Sequence, residues 1–284
     1  MNEVIWHKKI DRDFWCEVKY LDNIIDILNT NLDEYSIIVT PISTKSLPET
    51  KYKKIVIVTG DEVGRLGLNP YVGENVKYVF RIYNRINRYD NDYIFPISCG
   101  YNCTMHSDRT KKMKKMYPGK PLSERKFDIF YSGQIIPPIT GYHTSRSLMN
   151  ESLFKLSKSF KIYNNNYIGF RTGIDIDEYY KTLGETKISL CPEGTSVDTF
   201  RYNESLGSGC VVITTKKDDL WYYKDSPAIF LDSWSQLNDD LISGILNNDI
   251  DDLYEKNLKH YNDVLSEQAQ ADYILKKINK IDDL

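Results

Sequence analysis

The loop after Cys191 concentrates groups that bind phosphate. In this region a buried strand opens into a Pro-Glu-Gly-Thr-Ser loop, and a helix begins just after the loop. A helix N-terminus offers unpaired backbone N–H groups and a partial positive charge, which suit a diphosphate. Gly194 allows close approach to the backbone, while Thr195 and Ser196 add hydroxyl donors. The loop therefore predicts a phosphate site.

Two charged residues follow on the predicted helix. Arg201 and Glu204 are three positions apart, so they share one helix face. The planar guanidinium fork of Arg201 can pair with phosphate oxygens. An ionised Glu204 can accept hydrogen bonds from two ribose hydroxyls. The alternative for these two residues is a salt bridge on an ordinary helix. Together with the loop, the pair favours a nucleotide-sugar site.

This segment resembles the donor-site signature of the exostosin-like glycosyltransferases, glycosyltransferase family 47. The shared order is Leu-Cys-Pro-x-Gly, then Arg-x-x-Glu, then Gly-Cys-Val-Val-Ile, within Lys187–Thr214. The similarity is less specific at Phe130–Gly133, which has Arg146 downstream. In small, soluble bacterial and viral members, the acceptor half has a pattern similar to three further stretches: Thr59–Glu62, Phe80–Tyr83 and Ile94–Ile97.

The resemblance implies a GT-B-like α/β fold, in which two Rossmann-like domains face a central cleft. It also implies transfer of a sugar from a nucleotide diphosphate, with UDP favoured, to a glycan hydroxyl, with inversion at the anomeric carbon. The expected donor-binding residues are Ser132, Gly133, Arg146, Glu193, Gly194, Thr195, Ser196, Arg201 and Glu204. Two alternatives stay open: a retaining GT-B transferase, and a non-catalytic module that binds a nucleotide or a glycan.

An inverting transfer needs a general base for the attacking hydroxyl and positive charge for the departing diphosphate. Asp61 and Glu62 follow a predicted strand of the first half, and we expect one of them to be the base. The alternative is that Asp61 caps a helix and Glu62 is solvated. Arg81 and Tyr83 lie at the end of the next strand and are expected to contact the acceptor or the phosphates. Arg81 is equally suited to a salt bridge at the edge of the core.

No metal is expected to be required. No other cofactor is expected either, and the nucleotide-sugar is a substrate. Asp175 and Asp177 form the Asp-x-Asp pattern that holds a divalent metal in the other large glycosyltransferase fold. Here a helical pattern follows directly, so the two residues are predicted to begin a helix. Cys99, Cys103 and His106 have ligand-like spacing but lack an evident fourth ligand for zinc.

The elements that must position these residues form two successive β/α runs. Continuous apolar strands alternate with helices, which predicts parallel sheets covered on both faces, with ligands at the carboxyl ends of the strands. Asn164–Asn166 is predicted to be a turn. The predicted strands are Ser36–Thr40, Lys54–Gly60, Val76–Tyr83, Tyr93–Ile97, Phe127–Gly133, Lys161–Tyr163, Lys187–Cys191, Cys210–Thr214 and Ala228–Leu231. The predicted helices include Leu21–Leu28, Ser145–Ser159 (with Leu148, Leu153, Phe154 and Leu156 in the core), Ile176–Leu183 and Thr199–Leu206.

Three domains are expected. Residues 1–125 form the acceptor side, residues 126–247 bind the donor, and residues 248–284 return to the first domain as one long polar helix that begins at about Asp249. The basic stretch Arg109–Lys126 contains Pro and Gly and is predicted to join the first two domains. It is interpreted as a solvated linker or, alternatively, as a basic rim that steers an anionic substrate.

Composition excludes several function classes. The 284 residues include 37 Lys and Arg against 40 Asp and Glu, a net charge of −3, so no nucleic-acid partner is expected. No apolar run approaches the roughly 18 residues of a membrane helix, so no integral membrane association is expected. The 5 cysteines are an odd set without a signal peptide, which predicts reduced thiols and a cytoplasmic protein.

Overall fold

Two parallel sheets of five strands each form the centre of the structure. The computed structural model describes residues 2–12, 15–41, 46–60, 75–83, 93–102, 118–135, 144–167, 173–216 and 220–282. The first sheet contains β1 (Glu3–Trp6), β2 (Tyr35–Pro41), β3 (Lys53–Thr59), β4 (Val76–Arg81) and β5 (Ile94–Pro96). These strands lie side by side in chain order, and each pair is parallel. The expected α/β class with two parallel sheets is confirmed.

Both faces of the first sheet are buried, as the continuous apolar strands predict. Ile37 and Ile55 point to the face that is covered by helix α1 (Val18–Asn31), whereas Val56 and Val79 pack on the opposite face. The apolar residues of α1 recur at helical spacing and are buried: Leu21, Ile24, Ile25 and Leu28. Packing on both faces therefore fixes the positions of the carboxyl ends of these strands.

The second sheet has the strand-order reversal that is typical of Rossmann folds. Its strands are β6 (Phe127–Gln134), β7 (Ile162–Tyr167), β8 (Thr186–Leu190), β9 (Val211–Thr215) and β10 (Ile229–Leu231), in the spatial order β10-β9-β8-β6-β7. The pairing of β6 with β7 continues to Gln134, whereas its pairing with β8 ends at Phe130 opposite Ser189. The two central strands thus separate before they end, which leaves a crevice at the position where such sheets bind ligands.

Helices cover both faces of the second sheet. Helices α2 (Thr144–Leu153) and α5 (Asp239–Leu246) lie on one face, and α3 (Ile176–Gly184) and α4 (Phe200–Gly207) lie on the other. Tyr202 of α4 belongs to the same hydrophobic cluster as α1, so α4 also packs against the first half. Within the described ranges, no helix combines the length and the apolar composition needed to cross a membrane.

The tail returns to the first half, as expected, but it is not one long helix. It consists of α6 (Ile250–His260), a π-helical turn (Tyr261–Leu265) and α7 (Glu267–Asp282). Ser266, which has an extended backbone, separates the π-helical turn from α7. The Tyr20 hydroxyl donates to the Leu265 carbonyl at 2.7 Å, and the Tyr78 hydroxyl donates to the Ile278 carbonyl at 3.0 Å. These bonds fix the tail on the first sheet.

Two local expectations in the second half are wrong. Asn164–Asn166 is not a turn but part of β7, an edge strand whose exposed side tolerates polar residues. The helix expected to reach Ser159 ends at Leu153. Leu148, within the helix, and Phe154, directly after it, are 46% and 72% exposed, although both were expected in the core. Leu153 and Leu156 are buried as expected, together with Met149.

The described end of the basic stretch is mostly exposed, but one of its arginines is buried. Arg125 is 4% exposed, and its guanidinium donates to the carbonyls of Thr186 at 2.7 Å and Lys120 at 2.6 Å. The Tyr254 ring lies 5.5 Å from the same guanidinium. Arg125 therefore joins the start of the second half to β8 and α6, while residues 109–117 lie outside the described part.

Two glycines provide a test of the packing. Gly100 has a φ of +69°, and an added Cβ would overlap the ring of Tyr20, whereas Gly244 lies in α5 with nothing within 4 Å of an added Cβ. We expect Gly100→Ala to lower the free energy of unfolding by at least about 2 kcal/mol. Gly244→Ala should raise it by about 0.5 to 1 kcal/mol. Urea unfolding measures both, and a neutral Gly100→Ala would contradict the described contact with Tyr20.

Candidate functional site

An arginine bridges the crevice between β6 and β8. Arg146 extends from the first turn of α2, and its Nη1 donates to the carbonyl of Gln134 at 3.1 Å. Its Nε donates to the carbonyl of Glu193 at 3.2 Å. Gln134 ends β6 and Glu193 follows β8, so one guanidinium joins the two diverging strands. The side chain is only half-buried and retains surface toward the solvent.

A second arginine enters the same crevice from α4. Arg201 donates through Nη2 to the carbonyl of Ser132, and its guanidinium lies 4.8 Å from the centre of the Tyr131 ring. Its Nε is buried and has no hydrogen-bond partner among the described residues. Burial alone would lower the pKa of Arg201, but its electrostatic interactions with Tyr179 and Tyr131 raise it. The guanidinium therefore remains charged inside the crevice.

The two guanidiniums lie against Gly133 and Gly194. A Cβ on Gly133 would lie 2.6 Å from Nη2 of Arg201, and a Cβ on Gly194 would lie 2.7 Å from Nη2 of Arg146. Neither glycine has the positive φ that would itself demand glycine. The sequence predicts that a ligand can closely approach the backbone at Gly194. In this structure the guanidinium of Arg146 lies at that position.

The predicted phosphate loop is ordered by its own hydrogen bonds. The Gly194 amide donates to the Ser196 carbonyl at 3.1 Å, and the Ser196 hydroxyl accepts from the Asp198 amide at 3.2 Å. The Glu193 amide donates to the hydroxyl of Ser145 at 3.3 Å. Ser196 is 3% exposed, whereas Glu193, Gly194 and Thr195 retain accessible surface. The accessible part of the loop therefore lies beside Arg146.

Glu204 is buried in the contact between the two halves. Its Oε1 accepts from the Asn102 amide at 2.9 Å and the Tyr180 hydroxyl at 3.0 Å, and its Oε2 accepts from the Tyr179 hydroxyl at 2.7 Å. It is 2% exposed and forms no salt bridge with Arg201. Burial raises the pKa of Glu204, although these hydrogen bonds and the charge of Arg201 act in the opposite direction. Ribose binding by Glu204 stays a prediction.

The expected base candidates, Asp61 and Glu62, lie outside the described residues. The strand that leads to them ends at Thr59, and the next residue, Gly60, is exposed and has a φ of +80°. A buried carboxylate, which the sequence did not reveal, lies at this strand end. Glu17 is 2% exposed and accepts from the Thr59 hydroxyl and, at 2.9 Å, from Trp15 Nε1. The burial of Glu17 cannot be predicted from the sequence because its partners, Trp15 and Thr59, come from different parts of the chain.

Arg81 and Tyr83 lie inside the protein rather than on an open surface. Arg81 is 0% exposed and Tyr83 is 5% exposed. Tyr83 has a φ of 60°, an uncommon backbone conformation for this residue type, and its ring makes an edge contact with Phe200 at 6.1 Å. Phe200 is the first residue of α4, so Tyr83 joins the end of β4 to the helix that carries Arg201. Direct contact of either residue with a substrate stays a prediction.

Tyr167 is a further residue of the crevice that the sequence did not reveal. It ends β7, and its ring lies so close to Gly173 that a Cβ there would be 2.6 Å from a ring carbon. Burial raises the pKa of Tyr167, and Arg201 and Arg146 are among the groups that act on its hydroxyl. The expected turn at Asn164–Asn166 concealed it, since a strand there places Tyr167 at the carboxyl edge.

The Asp-x-Asp pattern begins a helix, as expected. Asp175 is the N-cap of α3, and its side chain accepts from the Asp177 amide at 2.9 Å. Across the described ranges, no group of three or more His, Cys, Asp and Glu side chains is arranged to hold a metal ion. Cys99 is buried, and its partners in the proposed zinc pattern, Cys103 and His106, lie outside those ranges.

Comparisons with solved structures identify the fold. No protein-family model matches the sequence, and no curated protein matches it either. The glycosyltransferase AviGT4, which is involved in avilamycin A biosynthesis, aligns with a TM-score of 0.52 and 8% identity over 99% of this chain and 98% of its own. This chain has the GT-B fold. The DNA-modifying enzyme β-glucosyltransferase, solved with and without its substrate uridine diphosphoglucose, aligns with a TM-score of 0.50 and 11% identity over 98% and 100%.

The buried Glu204 predicts a specific pH dependence of stability. In the unfolded chain its pKa is near 4.5, and in the folded protein it is higher. Above pH 4.5 the Glu204 carboxyl therefore retains a proton in the folded state that it has lost in the unfolded state. The contribution of Glu204 to stability consequently falls as the pH rises. Glu204→Gln has no such proton. We expect the stability of the variant relative to the wild type to increase as the pH rises, as measured by urea unfolding.

Glu185→Gln is the matched control because the pKa of Glu185 is shifted in the opposite direction to that of Glu204. The hydrogen bond from Lys120 lowers the pKa of Glu185, so this carboxylate contributes stability above its unfolded pKa and loses it as the pH falls. The stability of Glu185→Gln relative to the wild type should therefore decrease, slightly, as the pH rises. Identical slopes for the wild type and Glu204→Gln would contradict a raised pKa at Glu204.

Proposed function

We propose that this protein is a glycosyltransferase. It transfers a sugar from a nucleotide diphosphate, with UDP favoured, to a hydroxyl of a glycan. The observation that carries the proposal is the pair of half-buried guanidiniums, Arg146 and Arg201, in the crevice between β6 and β8. A charged pair at the strand-order reversal of a GT-B fold suits an anionic ligand of diphosphate size.

The arginines supply the charge that sugar transfer requires. When the bond between the anomeric carbon and the diphosphate breaks, its electron pair moves to a phosphate oxygen. Guanidinium donors that are already in place stabilise this charge without reorganisation. Gly194 lies against Arg146, and we assign the amide and the hydroxyl of the next residue, Thr195, as further donors to the phosphate.

The acceptor hydroxyl attacks the anomeric carbon from the opposite side and loses its proton to a base of the first half. Asp61 or Glu62, which directly follow β3 and Gly60, remain our candidates for this base. The resemblance to exostosin-like enzymes supports inversion. A retaining transferase, which would need no such base, is the alternative, and proton NMR of the product's anomeric signal distinguishes the two.

The nucleoside is expected to lie toward α4. Glu204 would bind the ribose by exchanging the hydrogen bonds from Asn102 and Tyr180 for those of ribose hydroxyls. Ser132, Gly133 and Ser196 are buried, and we assign them to shaping the crevice through their backbone. The preference for UDP rests on the exostosin-like resemblance, as does the glycan acceptor.

The proposed setting is cytoplasmic, without a nucleic-acid or integral membrane partner. No disulfide joins any two of the four described cysteines, Cys16, Cys99, Cys191 and Cys210, which suits a reducing compartment. A non-catalytic nucleotide- or glycan-binding module remains the alternative from another class. Release of the nucleotide during turnover, measured with a candidate glycan, separates the enzyme from the module.

Arg201→Ala tests the donor site. A thermal-shift screen of the wild type with UDP-, GDP- and CMP-sugars first identifies the nucleotide, since a bound ligand raises the melting temperature. Arg201→Ala should then weaken binding of that nucleotide by roughly tenfold to hundredfold in calorimetry, because a charge-assisted hydrogen bond is lost. Arg201→Lys keeps the charge but loses the planar fork, so it should have intermediate affinity.

Arg12→Ala is the control for this experiment. Arg12 forms a surface ion pair with Asp22 of α1 at 2.7 Å, in the first half, and contacts none of the donor-site residues, so its loss should leave nucleotide affinity unchanged. Because Arg201 also holds the Ser132 carbonyl, its variants are compared at temperatures below their own melting transitions. Undiminished nucleotide affinity of folded Arg201→Ala would overturn the assignment of the donor site.

Transfer should proceed without a divalent metal. We propose that the arginines and the start of α4 take the role that a metal has in enzymes with an Asp-x-Asp site, because Asp175 already caps α3. Full activity in EDTA is the expected result. A strict requirement for Mn²⁺ would instead favour a metal site at Asp175 and Asp177.

A further inference from the structure

The N-terminus of α4 lacks a side-chain cap. Thr199 occupies the N-cap position, yet its side chain forms no capping hydrogen bond. Its hydroxyl oxygen is buried and has no hydrogen-bond partner among the described residues, and the residue is 9% exposed. The Tyr202 amide already donates to the Thr199 carbonyl at 3.1 Å. The amides of Phe200 and Arg201 and the Thr199 hydroxyl are thus the donors that have no acceptor among the described residues.

An acidic residue directly precedes this end of α4, and its carboxylate accepts hydrogen bonds from two tyrosines. Asp198 is 3% exposed, and it precedes the N-cap by one position. Its Oδ2 accepts from the Tyr222 hydroxyl at 2.7 Å, and its Oδ1 accepts from the Tyr223 hydroxyl at 2.6 Å. A carboxylate near a helix N-terminus would otherwise be a strong acceptor for the free amides.

The two tyrosines are themselves held firmly. The Tyr222 and Tyr223 rings lie 4.9 Å apart, and the Tyr202 ring of α4 packs edge-on against Tyr223 at 4.9 Å. The preceding residue, Trp221, donates through Nε1 to the Pro96 carbonyl of the first half at 2.9 Å and stacks on Tyr273 of α7 at 4.2 Å. The tyrosine pair is therefore anchored to α4, to the first half and to the tail.

We propose that Tyr222 and Tyr223 are positioning residues that keep the Asp198 carboxylate away from the start of α4. Their hydroxyls donate to both of its oxygens, so the Phe200 and Arg201 amides and the Thr199 hydroxyl remain available to a phosphate of the nucleotide. Without the two hydroxyls, the buried carboxylate takes these donors itself and repels the phosphate. This role rests on the proposed nucleotide-diphosphate site.

The double variant Tyr222→Phe/Tyr223→Phe tests this role. We expect its affinity for UDP in calorimetry to fall roughly tenfold to hundredfold, as for the loss of a hydrogen bond to a charged group. Adding Asp198→Asn to the double variant removes the competing charge and should restore part of the affinity. A general loosening of the loop would instead weaken binding further when the third change is added.

Tyr20→Phe/Tyr78→Phe is the matched control. It also removes two buried hydroxyls, whose hydrogen bonds run to the tail carbonyls of Leu265 and Ile278, away from the loop. It should lose stability in thermal melting while keeping wild-type affinity for UDP. If Tyr222→Phe/Tyr223→Phe does not fold, the single variant Tyr222→Phe should show a smaller loss of affinity in the same direction.

The outcomes separate this role from the proposed function. A wild type that binds UDP, together with a folded tyrosine variant that binds it equally well, overturns the role of the tyrosine pair alone. Further loss of affinity when Asp198→Asn is added also overturns it. A wild type that binds none of UDP, GDP and CMP-sugars overturns both this role and the proposed donor site.

Discussion

The separation of β6 from β8 is the constraint on which the second half depends. Beyond Phe130, backbone carbonyls near the gap require donors other than a neighbouring strand. Arg146 and Arg201 provide these donors to Gln134, Glu193 and Ser132. A guanidinium has five N–H groups, so each arginine can complete the backbone and still present donors to a ligand. The same two side chains thus bind the backbone carbonyls of the separated strands and give the crevice a positive charge.

Helix α4 connects this crevice to the first half. Arg201 in its first turn reaches the end of β6, whereas the next residues along the helix contact the segment after β5. Asn203 accepts from the Ser98 hydroxyl at 2.9 Å, and Glu204 accepts from the Asn102 amide at 2.9 Å. These contacts are directional and buried, so they define an orientation between the halves more narrowly than apolar packing alone. A ligand bound to Arg201 therefore lies one helical turn from the contacts that join the two halves.

The sequence predicts features that depend on local order and misses those that depend on distant partners. Continuous apolar strands such as β3 and β9, and the Asp175 cap, follow from neighbouring residues alone. The short edge strand β1 and helix α5 were missed; they contain only four and eight residues, respectively. The Asn-rich strand β7 was mistaken for a turn because pairing with β6 overrides its propensity. The burial of Glu204 could not be foreseen, since its partners Asn102 and Tyr179 come from separate elements.

The return of α7 to α1 has a consequence for how the chain folds. Tyr20 and Leu265, which are joined by a hydrogen bond, are 245 residues apart in the sequence. The strands of the second sheet are instead continuous along the chain between residues 127 and 231. During synthesis the second half can therefore close first, while α1 keeps an apolar face uncovered until α7 leaves the ribosome. The first half is thus synthesised first but completes its folding last.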